Sequence, residues 1–110
     1  MSKTKKTQVK KQLSPQHLEE AFAIVCQELL ETFIKKHKDY GKGNILSIKE
    51  LGIAFRETEK VERLKNLLLQ SNQPQNESID DTWIDVAVYG VIAIMYRRGW
   101  FQSLELPKSQ

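Results

Sequence analysis

The segment from Thr82 to Tyr96 constrains the fold of this chain more than any other, because it is almost wholly apolar apart from Asp85. A membrane-spanning helix needs about 20 consecutive apolar residues, and this run is shorter and has charged residues at both ends. A helix that is apolar on every side is normally buried on every side. We therefore expect this segment to form the centre of a helical bundle, either within one chain or shared across a subunit interface.

A first helix is predicted before this central one. Ser14 followed by Pro15 is typical of an N-cap residue and the first helical position. Apolar residues then recur at helical spacing as far as Phe33. The helix should run from about residue 14 to about Lys38, because two glycines and an asparagine make 37–44 a loop.

A second helix is predicted to begin near Ser47. This serine, with Glu50 three residues later, forms a capping-box pattern. An apolar stripe at heptad-like spacing continues to Leu68, with Gly52 as a weak point near the start. The polar stretch 71–77, which contains a proline, is typical of a linker.

The third helix contains the apolar run. Ser78 is one candidate start and Asn76 is another, and Gly99 should stop the helix just after two arginines. Trp100 and Phe101 lie beyond that stop, where they should fold back onto the bundle or meet a partner subunit. The pattern contains no competing strand. The chain is therefore predicted to be all-α, a small bundle of three main helices at about 14–38, 47–70 and 78–98.

A chain of 110 residues suits a single domain. We expect a disordered basic tail at 1–12, one helical domain at 13–103 and a frayed C-terminus at 104–110. A domain this small has a marginal core. We therefore expect a homo-oligomer, a dimer or a larger assembly, to complete it.

The positive charge of the chain is concentrated in the tail. The sequence pI is about 9.0, but five of the 17 basic residues lie in 1–12, which leaves 12 against 14 acidic residues in the rest. A short lysine-rich tail is more often solvated than a DNA-binding arm, and the body has no groove-reading motif. The composition does not favour specific nucleic-acid binding.

The cysteine content excludes a disulfide framework, since Cys26 is the sole cysteine. Its apolar neighbours favour a buried, inert thiol. The N-terminus has lysines but no apolar core followed by a cleavage site, so it does not resemble a secretory signal. We expect a cytoplasmic protein without membrane association.

Three carboxylates, those of Glu77, Asp81 and Asp85, recur every four residues and so share one face of the third helix. A buried carboxylate is costly unless it is neutralised or paired. Asp85 therefore needs a metal ion or a fixed cation, and Lys60, Arg63 and Arg56 are the candidates for an ion pair. Glu77 and Asp81 also suit the first turn of a helix.

The second helix carries a cationic face formed by Arg56, Lys60 and Arg63, with Glu59 and Glu62 beside it. Alone, such a face is usually solvated. Opposite the acidic face of the third helix, the carboxylates could hold Mg²⁺ and the cations could bind phosphate oxygens. Facing helices of bundles often build such sites.

The loop after the first helix adds His37, Asp39, Tyr40 and Asn44. A histidine at a helix C-terminus is often only a cation stabilised by the helix dipole. Tyr40 could stack on a base or cover the edge of the core. The loop alone leaves both interpretations open.

Taken in order along the chain, these motifs resemble those of the nucleotide modification associated domain 1 family, which is common in bacteriophages. The resemblance covers roughly residues 30–98. The residues that carry it are His37-Lys38-Asp39-Tyr40-Gly41, Asn44-Ile45, Leu51-Gly52-Ile53, Phe55-Arg56, Glu59-Lys60-Val61-Glu62-Arg63-Leu64, Asn66-Leu67, Glu77-Ser78-Ile79-Asp80-Asp81-Thr82-Trp83-Ile84-Asp85 and Tyr89. Glu59 stands where many members have an aspartate.

The resemblance implies a link to phage nucleotide metabolism or to modified DNA bases. The chain is also distantly similar to MazG-like all-α nucleoside-triphosphate pyrophosphohydrolases, whose Glu-x-x-Glu and Glu-x-x-Asp pattern matches Glu59/Glu62 and Glu77/Asp80.

The function expected from these resemblances is a Mg²⁺-dependent, or Mn²⁺-dependent, nucleotide enzyme that hydrolyses a (deoxy)nucleoside triphosphate to monophosphate and pyrophosphate. The expected catalytic residues are Glu59, Asp81 and Asp85. The expected metal ligands are Glu59, Glu62, Asp81 and Asp85. The residues expected to bind substrate are His37, Asp39, Tyr40, Asn44, Arg56, Lys60 and Arg63.

Two alternatives remain open on the sequence. The chain could bind nucleotide without catalysis, as a regulatory module. It could instead be a helical interaction subunit in which the polar residues form only an internal salt-bridge network.

Overall fold

The structure is a computed structural model that describes residues 14–70 and 76–108, except for the side chains of 76–78. The described residues form four helices and no strands, so the predicted all-α bundle of three main helices is confirmed. The helices are α1 (Leu18–Tyr40), α2 (Gly43–Leu69), α3 (Asn76–Arg97) and the short α4 (Trp100–Ser103).

Helix α1 begins four residues later than Ser14 and ends beyond Lys38. At its start the Gln16 backbone N–H donates to the Glu20 carboxylate at 2.7 Å, so a side chain within the helix caps the entering chain. At its end Gly41 adopts φ 71°, and its N–H donates to the His37 carbonyl. The predicted loop at 37–44 is therefore wrong except at 41–42, because 37–40 belong to α1 and 43–44 belong to α2.

Helix α2 starts at Gly43 rather than Ser47 and is interrupted at Lys49, whose φ of 62° is not helical. The predicted capping box is wrong, because Ser47 lies inside the helix and the N-cap residue is Lys42, which makes no side-chain cap bond. The Ser47 hydroxyl donates to the Asn44 carbonyl at 2.9 Å. At this kink Gly52 comes unusually close to Ile48, in the segment before the interruption. A Cβ at Gly52 would lie 2.4 Å from Ile48 Cβ, so this position requires glycine.

The core lies where α2, α3 and α4 meet. Its buried members are Ile45, Ile53, Val88, Ile92 and Phe101. Gly99 ends α3 in the left-handed conformation, and this turn directs Phe101 back into the core. The prediction that the residues past Gly99 fold back is confirmed for Phe101, whereas Trp100 stays half exposed beneath Arg98.

Within the described residues of one chain, α3 is not buried on every side, and burial across a subunit interface stays a prediction. Trp83, Val91 and Ile94 are each about half exposed. Cys26 is also exposed rather than buried. Both exposures have one physical cause, which is that the three main helices of one chain do not cover every apolar face that the sequence provides.

The residues expected to fray at the C-terminus begin with Leu104 and Glu105. Both accept hydrogen bonds from the Lys42 ammonium group, at 2.6 and 2.9 Å. The predicted tail at 1–12 and most of the linker at 71–77 lie outside the described residues. Within the described residues, no helix combines the length and the apolarity needed to cross a membrane.

Candidate functional site

Asp85 joins the three main helices through two ion pairs. Its Oδ1 accepts from Lys36 Nζ on α1 at 3.0 Å, and its Oδ2 accepts from Lys60 Nζ on α2 at 3.4 Å. The Asp85 side chain is 27% exposed, so the pairs are neither dry nor freely solvated. Of the cations considered from sequence, Lys60 is the one that pairs with Asp85, while Lys36 was not anticipated.

Lys60 is held by more than Asp85. Its Nζ lies 5.4 Å from the centroid of the Tyr89 ring, a cation–π contact. Glu57, one turn earlier on α2, lies against α3 near Gly90, and its Oε1 is buried without a hydrogen-bond partner among the described residues. Burial raises the pKa of the Glu57 carboxyl above its usual 4.5, while the nearby Lys60 charge opposes the rise.

An aromatic pocket of about 120 Å³ lies on one side of the Lys36–Asp85 pair. His37 forms part of its wall and lies between two rings, 5.3 Å from Phe33 and 5.8 Å from Phe101. The residues that line the pocket are Phe33, Lys36, His37, Tyr40, Gly41, Asn44, Ile45, Asp85, Val88, Tyr89, Ile92 and Phe101. The structure thus brings together three residues predicted to bind substrate (His37, Tyr40, Asn44) with Asp85.

Arg56 does not line this pocket, but it contacts Asn44, which does. Its Nη2 lies 3.5 Å from Asn44 Oδ1, a long hydrogen bond that holds the guanidinium beside the mouth of the pocket. The break at Lys49 contributes to this arrangement, because the first turns of α2, which carry Asn44, run separately from the turn that carries Arg56.

A polar groove of about 570 Å³ lies on the other side of the same ion pair, between α1 and α3. Asp81 and Asp85, the two aspartates predicted to share a face, both line it. The residues that line the groove are Glu28, Glu31, Thr32, Lys35, Lys36, Asp80, Asp81, Ile84 and Asp85. Across this groove the two aspartates face α1, with its own two glutamates. The predicted facing helix, α2, reaches only Asp85, through Lys60.

Lys60 and Arg56 lie next to cavity residues without lining either cavity, and the remaining predicted residues do not line either cavity. Glu59 and Arg63 are exposed on α2, and Glu62 is exposed and pairs with Lys65 at 3.2 Å. Asp39 is exposed near the end of α1. The predicted metal set of Glu59, Glu62, Asp81 and Asp85 is not gathered here, since no three described His, Cys, Asp or Glu side chains lie close enough to hold one ion.

Mg²⁺ does not require such a set in advance, because it is usually bound by one or two carboxylates, by water and by substrate phosphates. The donors that line the polar groove are carboxylates and a threonine hydroxyl, which is the oxygen chemistry that Mg²⁺ prefers. The donor set of the groove therefore fits this ion. The metal assignment from sequence stays a prediction.

Sequence reasoning missed Lys36, Glu57 and the glutamates of α1. Glu28, Glu31 and Lys35 follow one another at three and four residues, a spacing that places them on one side of α1. That spacing could have identified a charged face. Glu57 carried no such signal, because one glutamate among several on α2 does not reveal which of them is buried.

Comparisons of this chain with protein-family models, with curated proteins and with solved structures found no match.

Proposed function

We propose that this chain is a Mg²⁺-dependent nucleotide-processing protein that hydrolyses a (deoxy)nucleoside triphosphate to a monophosphate and pyrophosphate. The observation that carries the proposal is the position of the Lys36–Asp85–Lys60 bridge. It separates an aromatic pocket suited to a base from an acidic groove suited to a metal–phosphate group. A nucleotide has these two parts joined in one molecule.

The aromatic pocket supports the base-binding half of the proposal. Tyr40 is 76% exposed at its rim and offers a face for stacking, while Asn44 offers an amide for hydrogen bonding to a base or a sugar. At about 120 Å³ the pocket is small compared with sites for whole drug-sized ligands, which span roughly 300–1,000 Å³. It therefore suits one ring of the ligand, with the phosphates outside.

The charges of the polar groove support the metal half. Glu28, Glu31, Asp80 and Asp81 outnumber its two lysines, so a triphosphate alone would be repelled. A divalent cation bound by Asp81 and Asp85, with the α1 glutamates nearby, would remove that repulsion. Such an ion would neutralise phosphate charge and lower the pKa of an attacking water.

The chain's own residues then bind and orient the substrate. Lys36 and Lys60 would exchange Asp85 for phosphate oxygens, and Arg56 would bind a phosphate oxygen at the mouth of the pocket. Tyr89 keeps Lys60 beside Asp85 when the carboxylate is engaged elsewhere. The proposed protein works in the cytoplasm, in phage nucleotide metabolism or DNA base modification, as a homo-oligomer.

A non-catalytic nucleotide-binding module is the second candidate. It is favoured by the fact that both Asp85 oxygens are already paired with lysines, so a phosphate could displace the carboxylate without any metal. This candidate predicts nucleotide binding that survives EDTA, with no turnover. The third candidate, an interaction subunit, treats the same bridge as purely structural.

The test is a panel of canonical and modified deoxynucleoside triphosphates with Mg²⁺ or Mn²⁺, assayed for pyrophosphate release. We expect release from at least one of them, and its loss in EDTA. If no nucleotide of the panel turns over or shows metal-dependent binding, the proposal is wrong.

A matched pair of lysines on α2 controls for general charge effects. Lys60→Met should reduce turnover at least tenfold, because it removes a cation from the bridge. Lys65→Met should leave turnover nearly unchanged, since Lys65 is 61% exposed and pairs with Glu62 away from both cavities. Equal effects of the two substitutions would contradict the role given to the bridge.

A further inference from the structure

The N-terminal half of α1 carries an apolar face that the described part of the chain leaves uncovered. Leu18 is 85% exposed and Phe22 is 73% exposed, and Val25 is half exposed. None of the 23 residues of α1 is fully buried. A helix gains most of its stability from packing its apolar face, so this exposure indicates a missing partner.

A groove continues this face toward α3. It has a volume of about 320 Å³ and is lined almost wholly by apolar atoms. Its residues are Cys26, Leu29, Leu30, Phe33, Val88, Val91 and Met95. The α1 ridge (Leu18, Phe22, Val25) and this α1–α3 groove thus follow one another along a single helix.

We propose that a second copy of this chain docks on this surface, with the two α1 helices packed antiparallel and crossing near Cys26. A ridge followed by a groove is self-complementary under a two-fold rotation. Each ridge then enters the groove of the other copy, as an isologous interface requires. The spacing of Leu18, Phe22, Val25 and Leu29, which alternates four and three residues, is the seam that paired helices use.

The size of the surface agrees with a dimer. Five large apolar side chains of the ridge and groove are exposed, those of Leu18, Phe22, Val25, Leu30 and Val91. At on the order of 100 Å² each, they offer roughly 500 Å² per chain. Stable interfaces bury about 800 Å² per partner. Polar residues at the rim of the interface would supply the rest of the buried area.

The charges along α1 favour the antiparallel arrangement over the parallel one. Glu19 and Glu20 lie in the first turn, and His37 and Lys38 lie in the last. Antiparallel packing brings the acidic end of each α1 toward the basic end of the other, and it also opposes the helix dipoles favourably. Parallel packing would align like charges.

The chain's own first 13 residues are a poorer occupant. They contain five lysines and only three large apolar residues, Met1, Val9 and Leu13. Burying such a segment in an apolar groove would desolvate its charges at a cost that three side chains do not offset.

The experiment measures the dissociation of the full chain by sedimentation equilibrium. We expect a dimer at micromolar concentration. Phe22→Glu should raise the dissociation constant at least tenfold without changing the helical circular dichroism. The matched control is Leu69→Glu, which changes an equally exposed apolar residue at the end of α2 and should alter the constant less than twofold.

The register is tested by disulfide exchange between two variants in a Cys26→Ser background. Mixing Ala23→Cys with Leu30→Cys should give mainly the mixed disulfide, because both positions lie on the exposed apolar side of α1 and antiparallel helices that cross near Cys26 bring them together. Predominance of the two symmetric disulfides would overturn the antiparallel arrangement. The proposed dimer would be overturned if the chain is monomeric at all concentrations. It would also be overturned if the chain dimerises only after residues 1–13 are deleted.

Discussion

The two halves of α1 carry the same kind of apolar periodicity but differ in what covers it. In the C-terminal half, Phe33 packs against the core and contacts His37, and Lys36 reaches Asp85 on α3. In the N-terminal half, Leu18 and Phe22 remain exposed. An apolar stripe therefore predicts that a helix face is covered, but only the tertiary structure shows whether the same chain provides the cover.

The largest effect on stability is expected from a matched pair of phenylalanines on α1. Phe33→Ala should lower the free energy of unfolding by about 2–3 kcal/mol, because it leaves a space against the core. Phe22→Ala should change it by less than about 0.5 kcal/mol when the chain is dilute enough to be monomeric. Urea denaturation at low protein concentration measures both changes. Similar losses of unfolding free energy for the two substitutions would show that the two halves of α1 are equally covered within one chain.

A somewhat smaller effect is expected at Gly52. Alanine there would force its Cβ against Ile48 Cβ, so the backbone at the Lys49 kink must shift. We expect a loss of about 1–3 kcal/mol in urea denaturation, together with weaker nucleotide binding, because Asn44 and Arg56 lie on either side of the break. Gly43→Ala is the control, since nothing lies within 4 Å of its added Cβ.

The smallest effect concerns the pH dependence of stability. Burial raises the pKa of Glu57 above 4.5 in the folded chain, so the folded state holds this proton more tightly than the unfolded state. The resulting stabilisation is complete below pH 4.5 and is lost as the pH rises through the folded-state pKa.

Glu57→Gln stays uncharged at every pH and should raise Tm by a few degrees at pH 7. The difference from the natural chain should shrink toward pH 4. A Tm that falls at pH 7 would mean that the attraction between Glu57 and Lys60 outweighs the cost of burial.

The sequence predicted the fold correctly where a local pattern is compatible with only one tertiary arrangement. Gly99 after two arginines correctly indicated the end of α3, and the apolar Phe101 beyond it correctly indicated a chain that folds back. The predicted start of α2 was wrong because the helix begins four residues before Ser47. Ser47 therefore lies within the first turns, where its hydroxyl donates to the Asn44 carbonyl.

The candidate site was predictable in part. Asp85 needed a cation because it interrupts an apolar run, and Lys60 was among the residues proposed for it. Lys36 could not be found in this way, because a lysine among several on α1 gains its role only from the crossing of α1 over α3. For the same reason α1, rather than α2, supplies the carboxylates opposite Asp81.

The central claim is that Asp85 organises a nucleotide site, and Asp85→Asn tests it most directly. The variant should lose at least about 100-fold in pyrophosphate release. It should lose less than about 1 kcal/mol in urea denaturation, because both lysines are partly exposed and can be hydrated. The claim would be contradicted if Asp85→Asn keeps its full rate of pyrophosphate release. It would also be contradicted if the variant unfolds and the natural chain shows no turnover.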